Sequence, residues 1–276
     1  MRETAKGHWT HGAHCGTPEV KPMPHTMPTH MYIVSHKDFD APSLPDYTPI
    51  LAGAAANKAT IAVRDDTGDN ISTLNPEFCE LTAQYWVWKN ADLSDGNVGF
   101  VHYRRYFYTD RHKKRIVPAD WFSKDLEQYD IVLPEPWVLT KTIGAQFAQF
   151  HNIDDLKTVR AIVDERTPDF IPTFDALMHR HDLSCYNMFV MSSDRFDAYM
   201  AWLFGILDEA RARIDVSGYD SYNKRLFGFL AERLLNVWVD AQQLRVKRYP
   251  VYMPEESAWK ANLKARTKSL MYLHSL

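Results

Sequence analysis

Short, continuous apolar runs are the clearest pattern along this chain. Apart from Asp130, residues 31–34, 98–101 and 130–133 are apolar over the length of a strand, without the alternation of a half-exposed strand. Such runs are typical of strands that are covered on both faces. Residues 59–66 and 185–192 are further candidate strands. The pattern therefore predicts a largely buried sheet.

Helical periodicity fills the segments between these strands. Asn75 can cap a helix, Pro76 suits its first turn, and apolar side chains then recur at helical spacing as far as Trp88. One helix is therefore predicted over residues 75–90. Further helices are predicted over 153–165, 170–180, 194–213 and 223–242. Strands that alternate with helices predict an α/β domain with a mainly parallel sheet flanked by helices.

The composition supports a globular domain and disfavours several functions. The chain has 276 residues, 45% of them hydrophobic, which is enough for a packed core. Its net charge of -3 provides no general basic field for nucleic acid. Cys15, Cys79 and Cys185 are far apart in the sequence, so we expect neither a disulfide framework nor a zinc site, and a cytoplasmic location. No apolar run reaches the ~18 residues of a membrane span, and no signal peptide is recognisable.

Both ends of the chain lack the patterns of the central part. Residues 1–30 are rich in His and Pro and have no apolar periodicity, so we predict a flexible extension that folding does not need. Evenly spaced histidines there would need a helical or hairpin frame to hold a metal. Residues 255–276 combine basic and apolar side chains, which fits either a solvated last helix or peripheral contact with the inner membrane surface. The domain itself is expected over 31–254.

Polar residues follow the predicted strands where a ligand would meet a parallel sheet. Ligands of such sheets bind at the carboxyl ends of the strands. Three polar segments have this position: 35–37, 64–72 and 102–105. We expect them to line one cleft. The side chains expected to contact a ligand from these segments are His36, Asp65, Asp66, Asn70, His102, Arg104 and Arg105.

The acidic loop at 64–72 has two interpretations. Its aspartates suggest a cation site, but Gly68 and Ile71 stand where the calcium-loop template needs a ligand and a glycine. A turn closed by its own Asp and Asn side chains and a substrate contact both remain open. The only Asp-x-Asp, at 38–40, falls in a predicted loop. We therefore do not expect a bound metal.

Two adjacent arginines follow a buried strand. Guanidinium groups pair bidentately with phosphate and stay charged at any working pH, so they can replace a metal in binding a diphosphate. An arginine–carboxylate network is the structural alternative. On a continuing strand Arg104 and Arg105 would point to opposite faces, so only one would meet a given ligand, assisted by His102. Tyr103 and Tyr106 would shape the pocket.

The last predicted helix carries a charge on its apolar face. Arg233 falls among apolar neighbours, where a charge is unfavourable unless it is paired or bound to an anion. A separate polar stripe is consistent with a side that faces solvent. Its members are Arg225, Glu232, Asn236 and Asp240.

The start of another helix supplies further candidates. His151, Asp154 and Asp155 lie where a helix is expected to begin, although acids at that position are also favoured by the helix dipole. No G-x-S-x-G segment supplies a nucleophilic serine, and no glycine-rich phosphate loop occurs in the sequence. Serine-nucleophile, ATPase and dinucleotide-binding functions are therefore disfavoured.

Several segments, taken in order, resemble a known family. They are DDTGDNIS, FCELTAQYWVWKN, VGFVHYRRYF, DIVLP, YNMFVM with WLFGIL, and GFLAERLLNVW. Over about Met31 to Tyr252 the chain resembles the bacterial family known as domain of unknown function 4422. Its members are similar to GT-A-type glycosyltransferases, including galactofuranosyltransferases, and take part in capsular and exopolysaccharide biosynthesis. The resemblance implies a single GT-A-like α/β domain with a mainly parallel, mixed central sheet.

The resemblance also implies an activity and the residues that carry it. A hexosyltransferase of this type would move a sugar, with galactofuranose as the first candidate, from a UDP-sugar to a glycan or lipid-linked glycan, without a cofactor. If the transfer inverts the anomeric centre, it would require a carboxylate base, for which Glu232, Asp154 and Asp155 are candidates in that order. Arg233 joins the donor-binding candidates above, and His151 and Tyr106 are the acceptor-binding candidates.

A function of a different class remains open. A non-catalytic subunit of a polysaccharide assembly complex would bind a nucleotide sugar or a glycan without turning it over. Turnover of the donor separates this alternative from the enzyme. A phosphoester hydrolase is disfavoured, because it would normally need a metal cluster that the sequence does not suggest.

Overall fold

A computed structural model describes residues 27–94, 96–110 and 115–252. Its strands are β1 (Thr29–Ser35), β2 (Tyr47–Leu51), β3 (Val63–Arg64), β4 (Asn97–His102), β5 (Tyr106–Phe107), β6 (Ile131–Pro134), β7 (Trp137–Val138), β8 (Asp182–Leu183), β9 (Phe189–Ser192), β10 (Val246–Tyr249) and β11 (Val251–Tyr252). Its α-helices are α1 (Asn75–Phe78), α2 (Leu81–Asn90), α3 (Ala119–Asp125), α4 (Ile143–Phe150), α5 (Ile153–Arg166), α6 (Ile171–Met178), α7 (Ser193–Arg213) and α8 (Leu226–Ala241).

The central sheet of the described residues is mixed but mainly parallel. Its strand order is β10-β6-β9-β4-β1-β2-β3. Strand β9 runs antiparallel to both of its neighbours, and every other pairing in the sheet is parallel. The carboxyl ends of β1, β2, β4 and β6 therefore meet the beginning of β9 at one edge. The predicted fold class, an α/β domain with a mainly parallel central sheet and flanking helices, is confirmed.

Burial explains why these strands are apolar on both faces. All residues of β4 and β6 are buried. Val34 of β1 packs on one side with the helices α5, α7 and α8. Met31 and Ile33 face the other side, where Phe122 of α3 and Phe107 of β5 cover them. Since both faces are covered, the strands need continuous apolar sequence rather than alternation.

Several strands differ from the prediction. The sequence pattern predicts no strand at β5, β7, β8, β10 or β11, and two further differences lie at the β2–β3 side of the central sheet. The unpredicted β2 contains Pro49 and the exposed Thr48, which break the apolar run. A strand is predicted over 59–66, but only Val63 and Arg64 pair with β2. These outer strands obtain their pairing from the sheet beside them, which a local pattern does not reveal.

The predicted helix over 75–90 is interrupted in the structure. Helix α1 ends at Phe78, and Cys79 has φ 53° and ψ -128° before α2 begins. Asn75 is the first residue of α1 rather than its cap, and its side-chain Nδ2 donates to the backbone oxygen of Cys79 at 2.7 Å. A left-handed backbone is unfavourable for a residue with a Cβ atom. The interruption places Glu80 between the two helices.

The predictions for the two ends are only partly covered by the structure. Residues 1–26 of the predicted extension and the basic segment 255–276 lie outside the described residues. Thr29 and His30 belong to β1, where they pair with β4. Removal of all of residues 1–30 would therefore remove part of the sheet.

The helices of the described residues were also compared with the needs of a membrane span. None of them is both long and apolar enough to cross a bilayer.

Candidate functional site

A cleft of about 790 Å³ opens at the carboxyl edge of the parallel strands. Its walls come from the ends of β1, β2 and β4, the segment before β9, the region from β7 to α4, and the start of α8. This is the edge at which ligands of open parallel sheets bind. The main polar side chains that line it are His36, Asn75, Glu80, His102, Arg104, Arg105, Gln146, His151, Arg225, Glu232 and Arg233.

The two adjacent arginines lie on a tight turn and not on a continuing strand. His102 and Arg105 exchange both backbone hydrogen bonds at 3.0 Å, so Tyr103 and Arg104 form the turn between them. The prediction that the arginines point to opposite faces of a strand is wrong, because the chain reverses after His102. Arg104 and Arg105 both line the cleft.

His102 is a buried, neutral residue. Its Nε2–H donates to the backbone oxygen of Tyr186 at 2.7 Å. Burial, together with the nearby charge of Arg105, lowers the pKa of His102 to about 3. The side chain therefore cannot assist the arginines as a cation, which corrects the expectation from the sequence. Its hydrogen bond instead joins the end of β4 to the segment before β9.

Three arginines face the cleft without a carboxylate partner. Arg104, Arg105 and Arg225 form no ion pair with any residue that the structure describes. Arg105 lies over the ring of Tyr186 at 4.6 Å, and its buried Nε has no hydrogen-bond partner among the described residues. The Nε–H of Arg225 donates to Sγ of Cys79 at 3.2 Å. These contacts do not neutralise the arginines directly, although the carboxyl groups of Glu80 and Glu232 lie near enough to interact with their charges.

The pKa of His36 is lowered in part by the positive charges of this region. It lines the cleft, and its ring meets the edge of Tyr103 with 5.2 Å between centroids. Partial burial lowers its pKa, and the charges of Arg104, Lys37 and Arg225 lower it further. Cations from three separate elements therefore act on one site.

The acidic loop lies outside the cleft. Asp65 is fully buried and accepts hydrogen bonds from the backbone N–H groups of Gly53 and Ala54, both at 2.8 Å, and from the hydroxyl of Ser72. Gly53 has φ 67°, a conformation that this turn requires. Asp65 therefore closes the loop after β2, as in the turn interpretation, and does not meet the cleft.

Two further donor-binding candidates are occupied within the same loop. Asp66 pairs with Arg64 at 3.0 Å, and Oδ1 of Asn70 accepts from the N–H of Ser72 at 3.2 Å. Neither side chain lines the cleft. The structure therefore separates Asp65, Asp66 and Asn70 from His36 and the arginines.

Two of the three predicted base candidates also lie elsewhere. Asp154 is exposed at the start of α5 and pairs with Lys157 at 2.7 Å. Asp155 is buried and accepts a hydrogen bond from the hydroxyl of Tyr219 at 2.9 Å. Both act locally at the start of the helix and do not line the cleft.

The acceptor-binding candidates are divided in the same way. Tyr106 is 1% exposed and packs in the core around α3, so it cannot contact a ligand in the cleft. His151 does line the cleft, and its ring stacks on Tyr222 with 5.6 Å between centroids. Burial lowers its pKa to about 4, and its Nδ1 is 2.9 Å from Oδ1 of Asn223. It is therefore a neutral ring in an aromatic wall that also contains Phe229.

Glu232 and Arg233 are neighbours at the bottom of the cleft. Oε1 of Glu232 accepts the N–H of Tyr186 at 2.7 Å, and Oε2 lies 3.8 Å from Nη1 of Arg233. Arg233 is 3% exposed and donates to the backbone oxygen of Phe229 and to Oε1 of Gln146, each at 2.7 Å. The partners that the sequence could not reveal therefore come from its own helix and from α4.

The polar stripe of the last helix does not face solvent as a whole. Arg225 and Glu232 line the cleft. Asn236 is buried and exchanges hydrogen bonds with the backbone of Ser184, and Asp240 pairs with Arg180 at 2.6 Å. Arg225 shares a face of the predicted helix with Glu232, and this pattern could have indicated that Arg225 belongs to the site. No sequence pattern indicated Glu80.

Within 27–94, 96–110 and 115–252, no cluster of three or more His, Cys, Asp or Glu side chains is arranged to hold an ion.

Comparisons with known proteins place the chain in a family. Its fold is similar to the apo structure of WbbM, described as a bifunctional glycosyltransferase, with a TM-score of 0.76 and 31% sequence identity. The match covers 83% of this chain and 46% of that chain, so this chain spans about half the length of its structural neighbour. A search of curated proteins gives no match. The profile described as domain of unknown function (DUF4422) matches residues 30–243, and the chain therefore belongs to this family.

Proposed function

We propose that this protein is a glycosyltransferase that moves a sugar from a UDP-sugar to a glycan or lipid-linked glycan acceptor. The similarity to a bifunctional glycosyltransferase supports the reaction class. The position of the cleft supports a nucleotide-sugar ligand, since it lies where open parallel sheets bind nucleotides.

One observation carries the proposal. Arg104, Arg105 and Arg225 line the same cleft and have no carboxylate partner in the described parts of the chain. Cations that share a cleft without a direct ion pair repel one another, and a bound anion reduces this repulsion. A diphosphate carries about two negative charges and fits guanidinium groups bidentately. The cluster is therefore suited to the diphosphate of the donor.

The same cluster can stabilise the leaving group. Negative charge grows on the diphosphate as the bond to the sugar breaks, and fixed cations aimed at this charge accelerate the reaction. Arginine remains charged throughout, so this role does not need a metal. We propose metal-independent transfer on this basis.

The aromatic wall is suited to the acceptor. His151, Tyr222 and Phe229 stack against one another at the side of the cleft formed by α4 and α8. Aromatic rings bind the apolar faces of sugars. His151 is neutral, so it adds no charge to this wall. We assign acceptor binding to this wall, with His151 as the residue retained from the sequence prediction.

The donor and the pathway are finer parts of the proposal. Galactofuranose is the first sugar to test, because the sequence resembles galactofuranosyltransferases. Synthesis of a capsular polysaccharide, exopolysaccharide or O-antigen is the corresponding pathway. Neither part is needed for the assignment of the cleft.

A donor screen tests the proposed function. Purified protein is incubated with UDP-galactofuranose, UDP-galactopyranose and UDP-glucose, with and without crude bacterial glycan, and release of UDP is measured. We expect one donor to release UDP faster when acceptor is present. Binding of UDP without turnover of any donor would instead identify a non-catalytic binding subunit.

A further inference from the structure

Backbone strain is concentrated around one part of the cleft. Within the described chain the non-glycine residues with positive φ are Asp46, Cys79, Tyr186, Asn187 and Gln243. Cys79, with φ 53°, immediately precedes Glu80, and Asn187, with φ 49°, contacts the Glu80 side chain. Unfavourable backbone conformations persist where the surrounding structure enforces them, often at functional sites. Tyr186, with φ 80°, donates its N–H to Glu232, while Cys79 and Asn187 border and contact the carboxylate of Glu80.

Asn187 holds one oxygen of that carboxylate. Its Nδ2 donates to Oε1 of Glu80 at 2.7 Å and to the backbone oxygen of Gly228 at 3.1 Å. Its own Oδ1 is buried and has no hydrogen-bond partner among the described residues. A buried amide oxygen without a partner is unfavourable. The two hydrogen bonds that Nδ2 donates, one of them to Glu80, therefore determine the orientation of the amide.

The other oxygen of Glu80 is available to a ligand. Glu80 lines the cleft, and within the part of the chain that the structure describes no other residue forms an ion pair or a side-chain hydrogen bond with Oε2, although the carboxylate also receives a hydrogen bond from the backbone of Glu80 itself. Glu232, the predicted base, has Oε1 bound to the N–H of Tyr186 and Oε2 beside Arg233. Of the two carboxylates, Glu80 is the one with an oxygen that no other described residue holds.

The charges around Glu80 suit a base. Burial raises the pKa of its carboxyl group, and the nearby charges of Arg225 and Arg105 oppose this increase. Glu232 also has a raised pKa, mainly from burial. Burial raises the pKa of the Cys79 thiol to about 11, so this neighbour of Glu80 is uncharged near neutral pH. A carboxylate with a raised pKa is a stronger base than one in water, and the two arginines limit the increase without cancelling it.

We propose that Glu80 is the general base of the reaction, an assignment that rests on the glycosyl transfer proposed above. Oε2 of Glu80 accepts the proton of the acceptor hydroxyl. At the same time, the hydroxyl oxygen of the acceptor forms a bond to the anomeric carbon of the donor. The bond between the anomeric carbon and the diphosphate breaks, and its electron pair leaves on the β-phosphate oxygen of UDP. Asn187 acts as a positioning residue for the base.

The decisive variant is Glu80→Gln, which keeps the size of the side chain and the acceptor for Asn187. We expect acceptor-dependent release of UDP to fall by about 100- to 10,000-fold, the range typical of a lost general base. Binding of UDP, measured by calorimetry, should remain within about threefold of the wild type, because the arginine cluster is unchanged. Glu77→Gln is the matched control, since Glu77 pairs with Arg211 outside the cleft.

A second variant keeps the test informative if Glu80→Gln is poorly folded. Asn187→Asp places a like charge against Glu80 and should move the acid limb of the pH profile of kcat/KM upward by about one unit. A merely structural role of Asn187 would lower activity without moving that limb. An unmoved limb would count against Glu80.

The outcomes separate this assignment from the function on which it rests. If wild-type protein releases UDP and Glu80→Gln does so within threefold of it, the assignment to Glu80 is overturned. Loss of transfer in Glu232→Gln alone would then identify Glu232 as the base. If the wild type turns over none of the donors with any acceptor, the proposed function and the assignment fail together.

Discussion

The guanidinium group of Arg105 lies over the ring of Tyr186, with 4.6 Å between Cζ and the ring centroid. The backbone oxygen of the same tyrosine accepts the hydrogen bond of His102. The turn after β4 and the segment before β9 are thereby held together. Arg105 is therefore oriented before a ligand binds, which is the condition for effective stabilisation of a developing charge.

Replacement of this arginine tests the role of the cluster. We expect Arg105→Ala to reduce sugar transfer by about 100- to 1000-fold, as for removal of a group aimed at developing charge. The melting temperature should change little, because Arg105 has no ion pair with a described residue. Arg104→Ala shows whether the exposed turn arginine shares the role, and Arg211→Ala is the control at a surface ion pair. Full activity of both Arg105→Ala and Arg104→Ala would show that these arginines have only a structural role.

Removal of divalent ions tests the metal-independent part of the proposal. Transfer by the wild type should survive EDTA, because the arginines can neutralise the diphosphate without an ion. The measurement is UDP release before and after chelation, and again after Mg²⁺ or Mn²⁺ is added back. Complete loss that the added ion reverses would contradict this expectation.

Arg233 is expected to matter for folding. Arg233→Met removes the donors to Phe229 and Gln146 and leaves Glu232 without its neighbouring charge. We expect the free energy of unfolding to fall by about 3 kcal/mol, measured in urea. Arg213→Met, at a surface network, should change it by less than about 1 kcal/mol. A stable and fully active Arg233→Met protein would show that these buried contacts contribute little.

Asp65 offers a test of the turn interpretation. Asp65→Ala leaves the N–H groups of Gly53 and Ala54 without an acceptor, so we expect a loss of about 2–4 kcal/mol of unfolding free energy. Asp66→Ala, which removes a partly exposed pair with Arg64, should cost less than about 1 kcal/mol. Affinity of the folded Asp65→Ala protein for UDP should equal that of the wild type. A large loss of UDP affinity with unchanged stability would restore the donor-binding prediction.

The buried His102 predicts a specific dependence of stability on pH. Its pKa in the folded protein is about 3, below the value of about 6.5 in an unfolded chain, so protons bind preferentially to the unfolded state between these values. Its contribution to stability is therefore complete above about pH 6.5 and is lost as the pH falls towards 3. The loss should reach about 2 kcal/mol at pH 5.

Urea denaturation at pH 7.5 and pH 5 measures this effect. His102→Gln should be less stable than the wild type at pH 7.5, because it perturbs the contact with Tyr186, but should lose less stability on acidification. An equal loss in both proteins would show that other groups dominate the acid response.

The residue pattern alone indicates the central strands β1, β4 and β6 and most of the helices. The apolar runs at 98–101 and 130–133 correspond to β4 and β6, and the periodic segments at 153–165 and 194–213 correspond to α5 and α7. These elements are covered along their length by the core, so their own residue pattern contains the necessary information. The place of the cleft also followed, because parallel strands bring their carboxyl ends to one edge.

Which polar residues belong to the site depends on long-range packing. Asp155 and Glu80 are both acids near a helix start, yet one is bound by Tyr219 and the other lies in the cleft. Arg225 reaches the same cleft from a helix far away in the sequence. A charge that closes a turn and one that meets a ligand have the same local pattern. They differ in the groups that long-range packing brings against them, which no short stretch of sequence contains.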